Sequence, residues 1–482
     1  MNQVTAPCAT DDEPAEFLAH YPEYESTRRI DELRATEYRY LDHDHHVYLD
    51  YTGAGLASLT QYRLHHDRLV SGCFGNPHSV NPTSRATTEL VEQTRAKVLS
   101  HLNASPEEYV AIFTPNASGA CRLVGEAYPF GRRTRLVLTF DNHNSVNGIR
   151  EFARARHARL RYVPLEPPEL RISDDVLRTM LPPGRGLFAY PAQSNFSGVR
   201  HPLHWVDLAH ERGYDVFLDA AAYLPTNVLD LGAVHPDFLT VSWYKLFGYP
   251  TGVGCLVARR EALARLRRPW FSGGTIQAVS VKGDWHSMAP DEAAFEDGTQ
   301  NYLSIPDVET GMSWLTGIGV ELINRRVRCL TGWLLDRLMS LRHSNGTPMV
   351  LVYGPKDTVD RGGTVAFNFL TPDGAIVDER LVEQESAAAD ISLRAGCFCN
   401  PGAGEVAFDI VDKRMLRRLL GRRIPTIDEY LDRLGLPSGG AIRVSLGIVS
   451  SVADVQRFLN FAERTYRDRR VDTSGLAPRT RC

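Results

Sequence analysis

Two side chains in this sequence are of the right types to grip opposite ends of one reactive ring. Lys245 stands in Asp237-Phe-Leu-Thr-Val-Ser-Trp-Tyr-Lys-Leu-Phe-Gly248, where an apolar run gives way to a glycine-rich turn. The chain holds five lysines against about fifty arginines, so a lysine at such a place stands out. An amine there is poorly hydrated and more readily uncharged and nucleophilic. Upstream, Asp219 closes another apolar run, Tyr214-Asp-Val-Phe-Leu-Asp219. An amine and a carboxylate at two strand ends suit pyridoxal 5′-phosphate (PLP). The lysine condenses with its aldehyde, and the acid keeps the ring nitrogen protonated so that the ring draws electrons. Taken alone, such a lysine is more often half of an ion pair; the case rests on the groups that join it.

Several do. A strand over 109–114 runs into Pro115-Asn-Ala-Ser-Gly-Ala120 and then a helix. Small residues such as Ala117 at a helix start let backbone N–H groups approach a phosphate, and Ser118 adds a hydroxyl. His143, just after the next strand, can lie flat on an aromatic cofactor or serve as an ordinary loop histidine. Asn195 follows a third strand. These positions share strand carboxyl ends, where open α/β sheets bind ligands. Arg443 lies among apolar neighbours in Ala441-Ile-Arg-Val-Ser-Leu446, where it needs a partner: a substrate carboxylate or an internal acid. Cys397 and Cys399 share a small, glycine-rich loop that reads as mobile, with Arg394 nearby to favour a thiolate. Neither has the ligand spacing of a zinc site, and Leu41-Asp-His-Asp-His-His46 reads as a solvated turn, so no metal is expected.

The elements that must position these groups follow from alternation. Apolar runs at 109–114, 135–140, 159–164, 186–190, 216–219, 238–242 and 254–258 are separated by helical stretches, which predicts βαβ units and a mostly parallel sheet. Thr83 or Ser84 caps a predicted helix through about Leu102, and Ser105-Pro-Glu-Glu108 resembles another helix start. A long helix over about 307–342, strands near 349–353 and 363–370, the cysteine loop, a basic helix and the 441–446 strand predict a smaller α+β domain. The expected division is a flexible leader (1–25), a large cofactor-binding domain (26–310) whose first segment is free to pack on the small one, a small C-terminal domain (311–465) and a flexible Arg-rich tail (466–482). The net charge of −4 gives no reason to expect nucleic acid, and no apolar run is long enough to span a membrane. With no secretory signal and eight cysteines not spaced as a disulfide framework, a cytoplasmic protein is expected.

Over roughly residues 40–465 the chain resembles the class V aminotransferase-fold PLP enzymes, and among them the cysteine-desulfurase-like domain of molybdenum cofactor sulfurases. The resemblance rests on Gly75-Asn-Pro-His-Ser79, Pro191-Ala-Gln-Ser-Asn-Phe-Ser-Gly-Val199, Leu218-Asp-Ala-Ala221, Tyr244-Lys-Leu-Phe-Gly-Tyr-Pro-Thr-Gly252, Phe271-Ser-Gly-Gly-Thr275, Phe295-Glu-Asp-Gly-Thr299 and Arg394-Ala-Gly-Cys-Phe-Cys-Asn-Pro-Gly-Ala403, in that order. It implies a fold-type I PLP-dependent transferase. By the same resemblance Lys245 holds the cofactor, Asp219 pairs with the ring nitrogen and His143 stacks on the ring. Ser118 and Ser242 bind phosphate, Thr275 reaches the phosphate of the partner subunit in a homodimer, Asn195 and Arg443 hold the substrate carboxylate, and Cys399 accepts sulfur. The chain departs from many desulfurases at Ala222, where a glutamine contacts the ring, and at Tyr244, where a histidine is common. Gly404 replaces a third cysteine. The cofactor-binding C-terminal domain of long family members is not part of this chain, so the resemblance supports sulfur mobilisation better than cofactor sulfuration.

The expected activity is therefore desulfuration of cysteine or a related amino acid to alanine, with a persulfide on Cys399 passed to a separate acceptor, protein or small molecule. Two other readings stand beside it: a PLP-dependent transaminase, epimerase or C–S lyase on another amino acid, and a non-catalytic scaffold of the same fold.

Overall fold

The computed structural model describes residues 15–77, 79–410, 426–434, 439–470 and 475–479. All seven apolar runs between 109 and 260 are strands: β1 (Tyr109–Thr114), β2 (Arg135–Thr139), β3 (Arg159–Val163), β4 (Gly186–Pro191), β5 (Tyr214–Asp219), β6 (Phe238–Val241) and β7 (Gly254–Arg259). They form one sheet in the order β1-β7-β6-β5-β4-β2-β3. Strands β2 to β6 pair in parallel, while β7 runs antiparallel to both β1 and β6. Alternate side chains enter two cores. Val110, Ile112, Leu136, Leu138, Leu187 and Ala189 face one, and Ala111, Phe113, Val137, Phe188 and Tyr190 face the other. A sheet covered on both faces needs apolar residues at every position, which is why its strands read as unbroken runs.

A second, antiparallel sheet contains β8 (Val350–Tyr353), β9 (Thr364–Phe369), β10 (Arg394–Gly396) and β11 (Ala441–Ser445), in the order β8-β9-β11-β10. The segment before the large sheet joins this smaller one: Val47–Tyr48 pairs with Ile391–Ser392, and Asp50 bridges to Ser445.

Local expectations need correction at five places. Residues 15–25, read as part of a loose leader, lie in the helices Ala15–His20 and Pro22–Thr27; Phe17 and Tyr24 are buried, with Phe17 edge-on to Trp333 at 5.6 Å. The 82–101 helix is capped by Asn81, whose side chain accepts from Ser84 N at 3.0 Å, because Pro82 takes the first helical position. Ser105 to Glu108 form a turn closed by Tyr109 N donating to Ser105 O, and β1 follows without a helix. The long helix is two, Pro306–Ile318 and Val320–Ser340, divided at Gly319. The tail is anchored where it is described: Tyr466 is buried in the helix Val452–Tyr466, and Arg479 pairs with Asp378, Glu379 and Asp428. Residues 411–425, where the basic helix was expected, lie outside the described residues. No helix among the described residues is long and apolar enough to cross a membrane.

Candidate active site

One cavity collects side chains from five strand ends. Ala117 and Ser118 come from the helix after β1, and His143 from the turn after β2. Gln193 and Asn195 follow β4, Asp219 ends β5, and Ser242 and Lys245 begin the short helix Trp243–Phe247 after β6. The parallel register puts all these ends on the same edge of the sheet.

Lys245 makes no side-chain hydrogen bond or ion pair among the described residues. Burial pushes its amine below the ordinary lysine value; Asp219 opposes that shift and Arg443 adds to it. Asp219 accepts from Ala221 N at 3.0 Å through Oδ1, and its other oxygen has no partner among the described residues. His143 Nδ1 accepts from Ser145 N at 3.1 Å, so the proton of the neutral ring is on Nε2. Burial lowers the His143 pKa, as does the nearby charge of Lys245. Asn116 caps the helix Ala117–Ala127 by accepting from Gly119 N at 2.9 Å, and Ala117 and Ser118 of that first turn line the cavity. Ser242 heads its helix without spending its hydroxyl on a cap. An amine with no partner among the described residues and a half-free carboxylate, lining one cavity with hydroxyls and a helix start, fit an aromatic aldehyde bearing a phosphate and a basic ring nitrogen.

Cys399 does not line this cavity but is fastened beside it. Asn195 Nδ2 donates to Phe398 O at 2.8 Å, and Asn144 N donates to Cys399 O at 2.7 Å. Asn400, fully buried, donates through Nδ2 to Asp141 O (2.7 Å) and Asn195 Oδ1 (2.8 Å), and accepts from Ala403 N at 3.2 Å. Phe398 and Cys399 both have positive φ, 55° and 52°, an uncommon pairing for residues with side chains. The loop read as mobile is thus pinned. Its Gly402 serves a close approach, since a Cβ there would fall 2.0 Å from Phe140 O. Cys399 is an exposed free thiol, whereas Cys397 is disulfide-bonded.

The arginines are arranged differently from the expectation. Arg394 does not serve the thiol; it pairs with Asp50 at 2.6 Å. The Arg443 guanidinium lies 4.7 Å from the centre of the ring of Phe398, the residue before Cys399. Arg443 donates to Asp50 Oδ1 at 2.9 Å and to Asn195 O at 3.1 Å, and its buried Nε has no partner. Both polar atoms of the Asn195 amide are engaged with the loop, through Phe398 O and Asn400. Thr275 is not brought to the cavity: it is buried, and its hydroxyl closes a turn with Ser272 at 2.9 Å in both directions. Sequence reasoning missed Gln193, Asn400, Asp50 and Ser145. Gln193 had a usable signal in its place just after a strand; the others are defined by contacts across the fold.

The family model for aminotransferase class-V matches residues 48–458. The chain belongs to the class V aminotransferase family. It is 34% identical to the molybdenum cofactor sulfurase of Solanum lycopersicum over 96% of this chain and 60% of that protein. The same identity holds with the Homo sapiens molybdenum cofactor sulfurase, over 93% of this chain and 52% of that one. The chain therefore spans little more than half the length of these curated relatives. Among solved structures, a cysteine desulfurase from Thermococcus onnurineus NA1 superposes with a TM-score of 0.74 at 24% identity, covering 90% of this chain and 98% of that one. The cysteine desulfurase CsdA from Escherichia coli gives 0.72 at 20% identity with the same coverage. These structures share the fold expected from the sequence, the fold-type I arrangement of a mostly parallel sheet.

Proposed function

We propose that this class V aminotransferase is a PLP-dependent cysteine desulfurase-like enzyme that converts cysteine to alanine and carries the sulfur on Cys399 to a separate acceptor. The observation that carries the reading is that unpartnered Lys245 faces Asp219 in a cavity to whose edge Asn195 fastens the Cys399 loop. When bound, PLP supplies an electron sink for the bonds of the substrate's α-carbon. Lys245 would hold the cofactor and then take the α-proton, its amine made easier to deprotonate by burial. Asp219 would keep the ring-nitrogen proton in place, His143 would stack on the ring, and Ala117, Ser118 and Ser242 would hold the phosphate. Arg443 offers its free Nε to the substrate carboxylate, with Asn195 alongside. The Cys399 thiolate attacks the substrate sulfur. An S–S bond forms, the Cβ–S bond breaks, and the carbon keeps the electron pair, takes a proton and leaves as alanine.

The active form is a cytoplasmic homodimer of two-domain chains, divided near residue 310. Its support is the exposed apolar surface near Thr275 in the chain, including Trp270, Val281 and Trp285 at 47%, 93% and 57% exposure. By the family resemblance, Thr275, which lies in the same stretch of sequence, would serve the partner's phosphate.

Incubation with L-cysteine should yield alanine and cyanolysable sulfur in equal amounts, and borohydride should fix PLP to the peptide bearing Lys245. Cys399→Ser should still bind PLP but form no persulfide. Full persulfide formation in that variant would exclude Cys399 as acceptor, and keto acid or racemised substrate in place of alanine would favour a transaminase or epimerase.

A further inference from the structure

Arg394 and Arg443 are direct cross-strand neighbours on β10 and β11, a placement in which two like charges repel. Asp50, from the segment that bridges to Ser445, enters between them. It takes Arg394 on two nitrogens, Nε at 3.0 Å and Nη2 at 2.6 Å, and Arg443 Nη2 at 2.9 Å. Asp50 and Arg443 are both buried, at 7% and 2% exposure, while the Arg394 side chain is half-exposed. The clamp has two positive charges and one negative, and its one buried donor without a partner is Arg443 Nε.

The geometry points to Asp50 as a specificity-determining residue: by occupying Arg394 and one edge of Arg443, it leaves a single net positive charge for a single substrate carboxylate, and so selects monocarboxylic amino acids over dicarboxylic ones. This rests on the reading that Arg443 receives the substrate carboxylate, and it names the class of amino acid that the site accepts. In a buried site an uncompensated charge is costly, so a second carboxylate entering beside Asp50 meets repulsion with no cation left to offset it. With the Asp50 charge removed, Arg394 becomes that cation.

The test uses the full chain reconstituted with PLP and titrated with L-alanine and with L-aspartate, following the visible absorbance and, independently, the heat of binding. The quantity read is the ratio of the two dissociation constants, aspartate over alanine. Asp50→Asn keeps the shape and should lower that ratio at least about tenfold, the scale of a modest charge interaction. Arg394→Gln, with Asp50 left facing Arg443 alone, should raise it. A general structural role for Asp50 would weaken both ligands together and leave the ratio alone. A ratio within twofold of the wild type in Asp50→Asn overturns the assignment; if that variant does not fold, an unchanged or lowered ratio in Arg394→Gln does so. A wild-type protein that shows no visible band after PLP is added would instead overturn the reading of the site, and this assignment with it.

Discussion

Replacing Asn400 with alanine should uncouple sulfur acceptance from cofactor binding. The side chain makes three hydrogen bonds: to Asp141 O, to Asn195 Oδ1 and from Ala403 N. Loss of the helix cap costs about 1 kcal/mol. Leaving buried acceptors without their donor adds roughly 1–3 kcal/mol. A total of about 3 kcal/mol lowers the ratio of docked to undocked loop by about a hundredfold. Nothing in the change touches Lys245, Asp219 or the residues proposed to hold the phosphate, so the visible band and the PLP affinity should match the wild type. Hydrogen exchange across residues 394–404 should rise, and the rate of persulfide formation on Cys399 should fall tenfold or more. Asn400→Asp sharpens the test. Aspartate can still cap Ala403 N, but it presents a carboxylate to two oxygens that need a donor, so it should be as damaging as alanine. Wild-type persulfide rates and unchanged exchange in both variants would refute the view that this amide docks the loop.

Two further outcomes follow from the same structure. The folded chain holds His143 neutral, so the unfolded chain binds that proton first, and stability should be lost as pH falls through the ordinary histidine value of about 6.5; an NMR titration should place the His143 pKa below that value, denaturant unfolding should show a smaller loss on acidification in His143→Gln, and a pKa at or above it would refute the assigned burial. Val281→Asp combined with Trp285→Asp should leave a folded monomer that retains PLP poorly, because both side chains are exposed in the single chain; sedimentation analysis showing a wild-type monomer, or a dimeric double variant, would refute the proposed subunit interface.

The large sheet was legible because burial on both faces leaves apolar runs that stop where the strands stop; each of the seven expected strands was found, most with ends shifted by one or two residues. The cavity was legible for the same reason, since Lys245, Asp219, His143, Ser118 and Asn195 all follow those strands and the parallel register gathers them. What escaped depends on pairing between distant parts of the chain. Asp50 meets Arg394 and Arg443 across 344 and 393 positions, and no local pattern marks such an acid. Phe17 and Tyr24 look like isolated aromatics in a polar leader until Trp333 packs on Phe17 and Arg326 on Tyr24. The cysteine loop was misread because its glycine content suggested freedom, whereas Gly402 allows contact with Phe140 O and three asparagines take up the backbone groups around Cys399.

On the proposed function, that pinning constrains how sulfur carried on Cys399 can leave. The carbonyls of Phe398 and Cys399 are both held by donors from the large sheet's side, and consecutive left-handed residues leave the backbone little freedom to swing. With the loop docked, the motion left to the thiol is rotation of its own short side chain. A sulfur atom carried on it can then be reached only by an acceptor that comes to the exposed edge of the cavity, or after the Asn195 and Asn400 contacts break. The two routes oppose each other in the Asn400→Ala protein. An acceptor that comes to a docked loop would gain nothing from undocking, whereas one that needs the loop released would take sulfur faster from a preformed persulfide even as that persulfide forms more slowly. Single-turnover transfer from the loaded variant to a small thiol therefore separates loading from delivery, and a delivery rate equal to that of the wild type would place the acceptor at the docked loop.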